Sequence, residues 1–241
     1  MRSRGWIAVT MLGLALPQAT QAQQEVKITG RVVDAAGKPV VGAEVGDSWS
    51  ADNGKMEPYK GATTSAEGRF TLTLQFWGRS QALLALDRDR KQGGLIVVDE
   101  KSTKKPIEIK LVPLVHVHGQ FFCKELNKRP TWTNVYMMSG QARFLGCISR
   151  DAFFSFYLPP GAYKFRGYGT DIQNVTKDLT LKAQEPDLDL KTIDVPATII
   201  ARHVGKAPPA WHVTDARGVK KDVKLSAFRG KWVLLEFWGY W

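Results

Sequence analysis

The chain has 241 residues, 44% of them hydrophobic and 10% aromatic, which excludes a disordered polymer and suits one or two folded domains. Its net charge is +11, but residues 25–112 carry 14 basic and 12 acidic side chains and residues 113–195 carry 10 and 8. These two nearly balanced segments lack the basic face of a nucleic-acid binder.

The first 22 residues read as a signal peptide: a basic start at Arg2 and Arg4, an apolar core from Ile7 to Leu16, and a small-residue end at Ala19 to Ala22. The apolar run is too short to span a bilayer, which needs about 20 residues. The expectation is export to the periplasm, the cell envelope or the medium, with no stable membrane span. Losing Arg2 and Arg4 with this segment takes the net charge from +11 to +9.

Residues 25–112 read as an antiparallel β-sandwich. Val26, Ile28 and Val32 alternate with Lys27, Thr29 and Arg31, and Phe70, Leu72, Leu74 and Phe76 alternate with Arg69, Thr71, Thr73 and Gln75. Ile107, Ile109 and Leu111 repeat the pattern, which marks strands with one face buried. Turns fall at Ala36 to Pro39, Asp52 to Gly54 and Glu67 to Gly68. The motifs Gly30-Arg-Val-Val-Asp34, Gly37-Lys-Pro-Val40, Gly42-Ala-Glu-Val45 and Thr64-Ser-Ala-Glu-Gly-Arg-Phe70 resemble the carboxypeptidase regulatory-like domain. That resemblance implies a seven-stranded, prealbumin-like sandwich with a supporting or binding role and no catalytic residues.

Residues 113–195 read as a second sandwich of similar plan. Leu114 to Phe122, Phe153 to Leu158, Tyr163 to Gly169 and Leu179 to Leu181 are strand-like, and Leu158 to Tyr163 reads as a closing hairpin. Cys123 and Cys147 are the only cysteines. Two in an exported chain point to a disulfide, which would stabilise the fold by about 3 kcal/mol in the chain-entropy model. Free buried thiols and a redox pair are the alternatives, the last without the Cys-x-x-Cys spacing that lowers a thiol pKa. His116 and His118 share one strand face as a potential metal pair. Zinc needs three or four ligands and no Cys, His or acid cluster lies nearby in sequence, so a structural role is favoured and no metal site is assigned. Trp49, Trp77 and Trp132 are candidates for an exposed stacking surface or for the core. Residues 196–204 read as a linker.

The last stretch, 205–241, contains an apolar run from Val233 to Phe237 bounded by Gly230 and Gly239. It reads as a strand buried on both faces, the centre of a parallel α/β sheet, with a helix as the competing assignment. Gly205-Lys-Ala-Pro-Pro-Ala-Trp-His212, Asp215-Ala-Arg-Gly218 and Leu225-Ser-Ala-Phe-Arg-Gly-Lys231 followed by Phe237-Trp-Gly-Tyr-Trp241 resemble the start of a thioredoxin-like domain. The families in question are the extracytoplasmic thiol–disulfide oxidoreductases and the alkyl hydroperoxide reductase/thiol-specific antioxidant family. The resemblance implies disulfide exchange or peroxide reduction on protein thiols, disulfides or peroxide, with no cofactor. It also implies Glu236 as a buried proton-transfer acid, with a solvent-reaching or lysine-paired glutamate as the alternative, and Trp238 and Trp241 as walls of the site. The Cys-x-x-Cys expected after Trp241 is absent, so this chain is expected to be the inactive opening portion of such an enzyme. The expected fold is thus mainly β, two prealbumin-like sandwiches followed by the incomplete start of an α/β thioredoxin-like domain. The rival expectation is an envelope binding or scaffold protein built on the sandwiches alone.

Overall fold

The computed structural model describes residues 24–76, 78–207, 215–234 and 236. The fold is mainly β, with seventeen strands among the described residues. The alternating segments become strands as expected. In β1 (Gln24–Val33), β6 (Arg69–Phe76) and β9 (Ile107–Lys110) the apolar positions point inward, with Ile28, Val32, Leu74 and Ile109 at most 2% exposed. These three strands form one sheet, with β1 antiparallel to β6 and parallel to β9. The facing sheet joins β2 (Glu44–Gly46), β5 (Gly61–Thr63), β7 (Gln81–Leu86), β8 (Gln92–Val98) and the short β10 (Val112–Pro113) in the order β10-β8-β7-β2-β5.

The second sandwich repeats that topology strand for strand. Its three-stranded sheet places β11 (Val115–Phe122) between antiparallel β14 (Phe153–Leu158) and parallel β17 (Asp187–Asp194). Its larger sheet runs β16 (Ile172–Leu181), β15 (Gly161–Gly169), β12 (Thr133–Ser139), β13 (Ala142–Ser149). Setting β10 and the strands from 49 to 58 aside, the two orders are β6-β1-β9 with β8-β7-β2-β5, and β14-β11-β17 with β16-β15-β12-β13. Each is a seven-stranded unit wound the same way. The Leu158 to Tyr163 segment is a corner rather than a hairpin, because β14 and β15 belong to different sheets. It is pinned by Tyr163, whose hydroxyl donates to the Pro159 carbonyl at 2.8 Å and whose pKa is pushed up by burial.

One hairpin breaks the division between the units. β3 (Trp49–Asp52) and β4 (Lys55–Pro58) leave the first sandwich between β2 and β5 and extend the large sheet of the second. β3 pairs in parallel with β13, Trp49 opposite Leu145 and Ala51 opposite Cys147. The tight turn uses left-handed conformations at Asn53 (φ 47°) and Gly54 (φ 83°), the residue types that tolerate them. Trp49, Ala51 and Met56 are at most 3% exposed and belong to the core of the second sandwich. Trp49 is therefore a core residue, its indole N–H donating to the Gly46 carbonyl at 3.1 Å, and Trp132 is half-buried, edge-on to Tyr168. Trp77 lies outside the described residues.

β7 completes the joint. Its run Ala82-Leu-Leu-Ala-Leu86 is buried throughout: Leu83 and Ala85 enter the first core, while Ala82, Leu84 and Leu86 enter the second. A five-residue apolar run without alternation is the mark of a strand covered on both faces.

Residues 196–204 are docked. Ala197 bridges to Ile172 and is 0% exposed, Thr198 caps the short helix α1 (Ile199–His203) through the Ala201 N–H, and Arg202 makes a two-pronged ion pair with Glu125. Beyond this the expected thioredoxin-like opening is corrected. Among the described residues from 205 onward the regular structure is one 3₁₀ turn, Leu225–Phe228, and Trp232, Val233 and Leu234 are exposed outside any strand.

Candidate functional site: a histidine–aspartate cluster

On β11 every second residue is buried, so Val115, Val117, Gly119 and Phe121 face the core while His116, His118 and Gln120 face outward. The sequence expectation that the two histidines share a face holds. The strand beside them was not foreseen. β17 runs parallel to β11 with Asp187 opposite His116 and Asp189 opposite His118, so alternation puts both carboxylates on the histidine face.

The contacts are close. His116 Nδ1 lies 2.9 Å from Asp187 Oδ1, and His118 Nε2 lies 3.2 Å from Asp187 Oδ2. One carboxylate thus bridges two imidazoles. Of the remaining ring nitrogens, His116 Nε2 is within hydrogen-bond reach of Ser155 Oγ at 2.9 Å, and His118 Nδ1 faces Asp189 Oδ1 at 3.7 Å, beyond a hydrogen bond. The rings of Tyr157, His116 and His118 form a stack, with successive centroids 4.6 Å apart. The His118 hydrogen bond holds the Asp187 carboxyl below its ordinary pKa, with a further contribution from His116. Asp189 is lowered chiefly by its hydrogen bond with Lys191.

Local backbone features explain how the cluster assembles. Register shifts between His118 and Gln120, where β17 bulges through Lys191 at φ 56°. The bulge brings the Lys191 N–H to Asp189 Oδ1 at 2.8 Å and its Nζ to Oδ2 at 2.7 Å. Gly119 makes room for this: a Cβ there would sit 2.7 Å from the Phe154 ring and 3.0 Å from the Lys191 carbonyl. On the other flank, the Gly54 N–H of the inserted hairpin donates to the Ser155 carbonyl at 3.2 Å, so the first sandwich buttresses the strand carrying Ser155 and Tyr157. The cluster opens onto a cleft of about 440 Å³ that also includes Phe153, Lys191 and Thr192.

Of the residues singled out from sequence, the structure therefore brings together His116 and His118, and adds Asp187, Asp189, Ser155 and Tyr157. His116, His118 and Asp187 each offer a ligand atom, all within 4.8 Å of one another, which reopens the metal site that the sequence left unassigned. Cys123 and Cys147 are free and buried rather than disulfide-bonded, and burial raises the Cys147 thiol pKa, the reverse of an activated nucleophile. Glu236 is exposed and outside any strand, whereas a proton-transfer role requires it buried. Trp238 and Trp241, like the signal segment 1–22, lie outside the described residues.

No family model matches the chain, and no curated protein matches it. Solved structures do. The TIE protein of Bacillus anthracis aligns with 72% of this chain and 34% of its own at 14% identity and a TM-score of 0.33, so the chain spans about a third of that protein's length. The shaft pilin spaA of Lactobacillus rhamnosus GG aligns with 73% of this chain and 98% of its own at 10% identity and a TM-score of 0.29. The pilus 2b backbone protein of group B streptococcus covers 74% and 87% at 8% identity and a TM-score of 0.32. Likeness at this level stops short of a shared function. Among the described residues from 205 onward there is no α/β domain, so the thioredoxin-like family and the oxidoreductase activity expected from it are corrected.

Proposed function

We propose that this chain is an exported envelope scaffold whose working parts are two prealbumin-like β-sandwiches held in a fixed relation. The observation that carries the reading is the β3–β4 hairpin, which originates in the first unit and completes a sheet of the second. Tandem domains on a free linker move relative to one another by default, whereas a shared sheet and a strand buried on both faces resist that motion. The signal-peptide grammar of residues 1–22 supports export, and no helix among the described residues is long and apolar enough to cross a membrane.

The test is to express the full chain in a bacterium with two membranes, fractionate the cells, and digest the recovered protein with a non-specific protease. Export predicts an envelope species starting near Gln23, and the coupled architecture predicts one resistant fragment reaching from about residue 24 to about residue 204. A cytoplasmic protein retaining Met1, or rapid cleavage between the sandwiches near residue 113, would refute the reading.

A further inference from the structure

We infer that His116, His118 and Asp187 form a binding site for a divalent first-row transition-metal ion, with zinc as the reference ion. The inference stands apart from the scaffold reading, since it rests on one face of the second sandwich. Two imidazoles and a carboxylate are the ligand set such ions prefer, whereas calcium and magnesium seek all-oxygen shells. The spacing fits. Zinc bonds of about 2.0–2.2 Å in a tetrahedron hold ligand atoms about 3.3–3.5 Å apart. The donors here lie within 4.8 Å of one another, so side-chain rotations that close at most about 1.5 Å, shared among three residues, reach that geometry.

The surroundings supply what such a site needs beyond its ligands. A metal-bound histidine is oriented by a partner on its other ring nitrogen. Ser155 Oγ already holds His116 Nε2 at 2.9 Å, and Asp189 Oδ1 faces His118 Nδ1 at 3.7 Å. On metal entry the protons facing Asp187 leave Nδ1 of His116 and Nε2 of His118. Each bound ring is neutral with its one proton on the opposite nitrogen, toward Ser155 Oγ or Asp189 Oδ1. In a neutral ring that proton is the one that faced Asp187, relocated through solvent, and a doubly protonated ring releases its second proton to solvent. Tyr157 stacked on His116 fixes the ring plane. The ligand side chains are 29%, 33% and 54% exposed, so the ion enters from solvent and a fourth position stays open to water or to a donor from a bound molecule.

The experiment is calorimetric titration of the full chain, stripped with a chelator, with zinc chloride, and in parallel with cobalt(II) read by its visible absorption. One equivalent is expected to bind. At a free zinc concentration a hundredfold above the dissociation constant the melting temperature should rise by about 5–10 °C. His116→Asn, His118→Asn and Asp187→Asn should each abolish the single-equivalent binding, Ser155→Ala should weaken it about tenfold, and His203→Asn should leave it unchanged. A long-range nitrogen–proton NMR spectrum of the wild-type imidazoles gives a readout that does not depend on any variant folding. Zinc should move the resonances of His116 and His118 and spare the other histidines. No binding, binding that survives Asp187→Asn in a folded variant, or zinc shifting only other histidines would overturn the inference.

Discussion

Leu84→Ala tests the joint between the two sandwiches. Leu83 and Leu84 are both 0% exposed, yet they project from opposite faces of β7 into different cores. Truncating either to alanine removes buried carbons and leaves a cavity that close-packed sheets only partly refill, at a cost of about 2–5 kcal/mol. For a folded unit of this size, a loss near 3 kcal/mol lowers the melting temperature by roughly 6–12 °C. The distinctive expectation concerns cooperativity. If β7 and the β3–β4 hairpin couple the units, calorimetry of the wild type shows one transition, and Leu83→Ala and Leu84→Ala lower that same transition by comparable amounts. Two resolved wild-type transitions would refute the coupling. So would a Leu84→Ala cost below about 1 kcal/mol, the range typical of an exposed surface position.

Other outcomes follow from single contacts. Thiol titration with a chromogenic disulfide should find neither cysteine in the native protein and both in denaturant; a denatured count of zero would mean that Cys123 and Cys147 are bonded after all. Gly94→Ala should destabilise strongly, measured by urea unfolding, because a Cβ there would lie 2.4 Å from the Lys110 carbonyl oxygen, a backbone atom with little room to yield. Asp47 has its pKa raised above 3.8, first by burial, so the charged form is disfavoured in the fold. Its contribution is fully present below pH 3.8 and is lost as pH rises through the raised folded value. Asp47→Asn should therefore raise the unfolding midpoint at pH 7 and lose that advantage in acid; an equal gain at both pH values would contradict this cause.

What the sequence makes legible is local. Alternation at Ile28, Leu72 and Ile109 marks half-buried strands because side chains on a strand change face at every residue, and that rule needs no knowledge of neighbours. The same rule places His116 and His118 on one face. It is silent on which strand lies alongside, and the partner here is a parallel strand some seventy residues later, supplying Asp187 and Asp189. The signal for β17 was present in Asp187-Leu-Asp-Leu190, a polar and apolar alternation, but only the pairing turns two acids into part of a site. The Asp52 to Gly54 turn was likewise legible as a turn, while its destination in the other sandwich was not. At the C-terminus the apolar run 233–237 matches a buried strand by composition, yet its described residues have no partner strand to hydrogen-bond and remain exposed.

The inserted hairpin also limits how this protein can be cut and recombined. A seven-stranded unit excised at residue 113 looks whole by strand count, yet it would present the bare edge of β13 where β3 now pairs, together with an uncovered patch around Leu145 and Cys147. Unprotected edges of that kind capture strands from neighbouring chains. The second sandwich taken alone should thus self-associate through β13, and a synthetic peptide spanning residues 47–60 should dissolve those assemblies by occupying the edge. The hairpin ties the two repeats together, and the expected shortest autonomous unit of this chain is both of them.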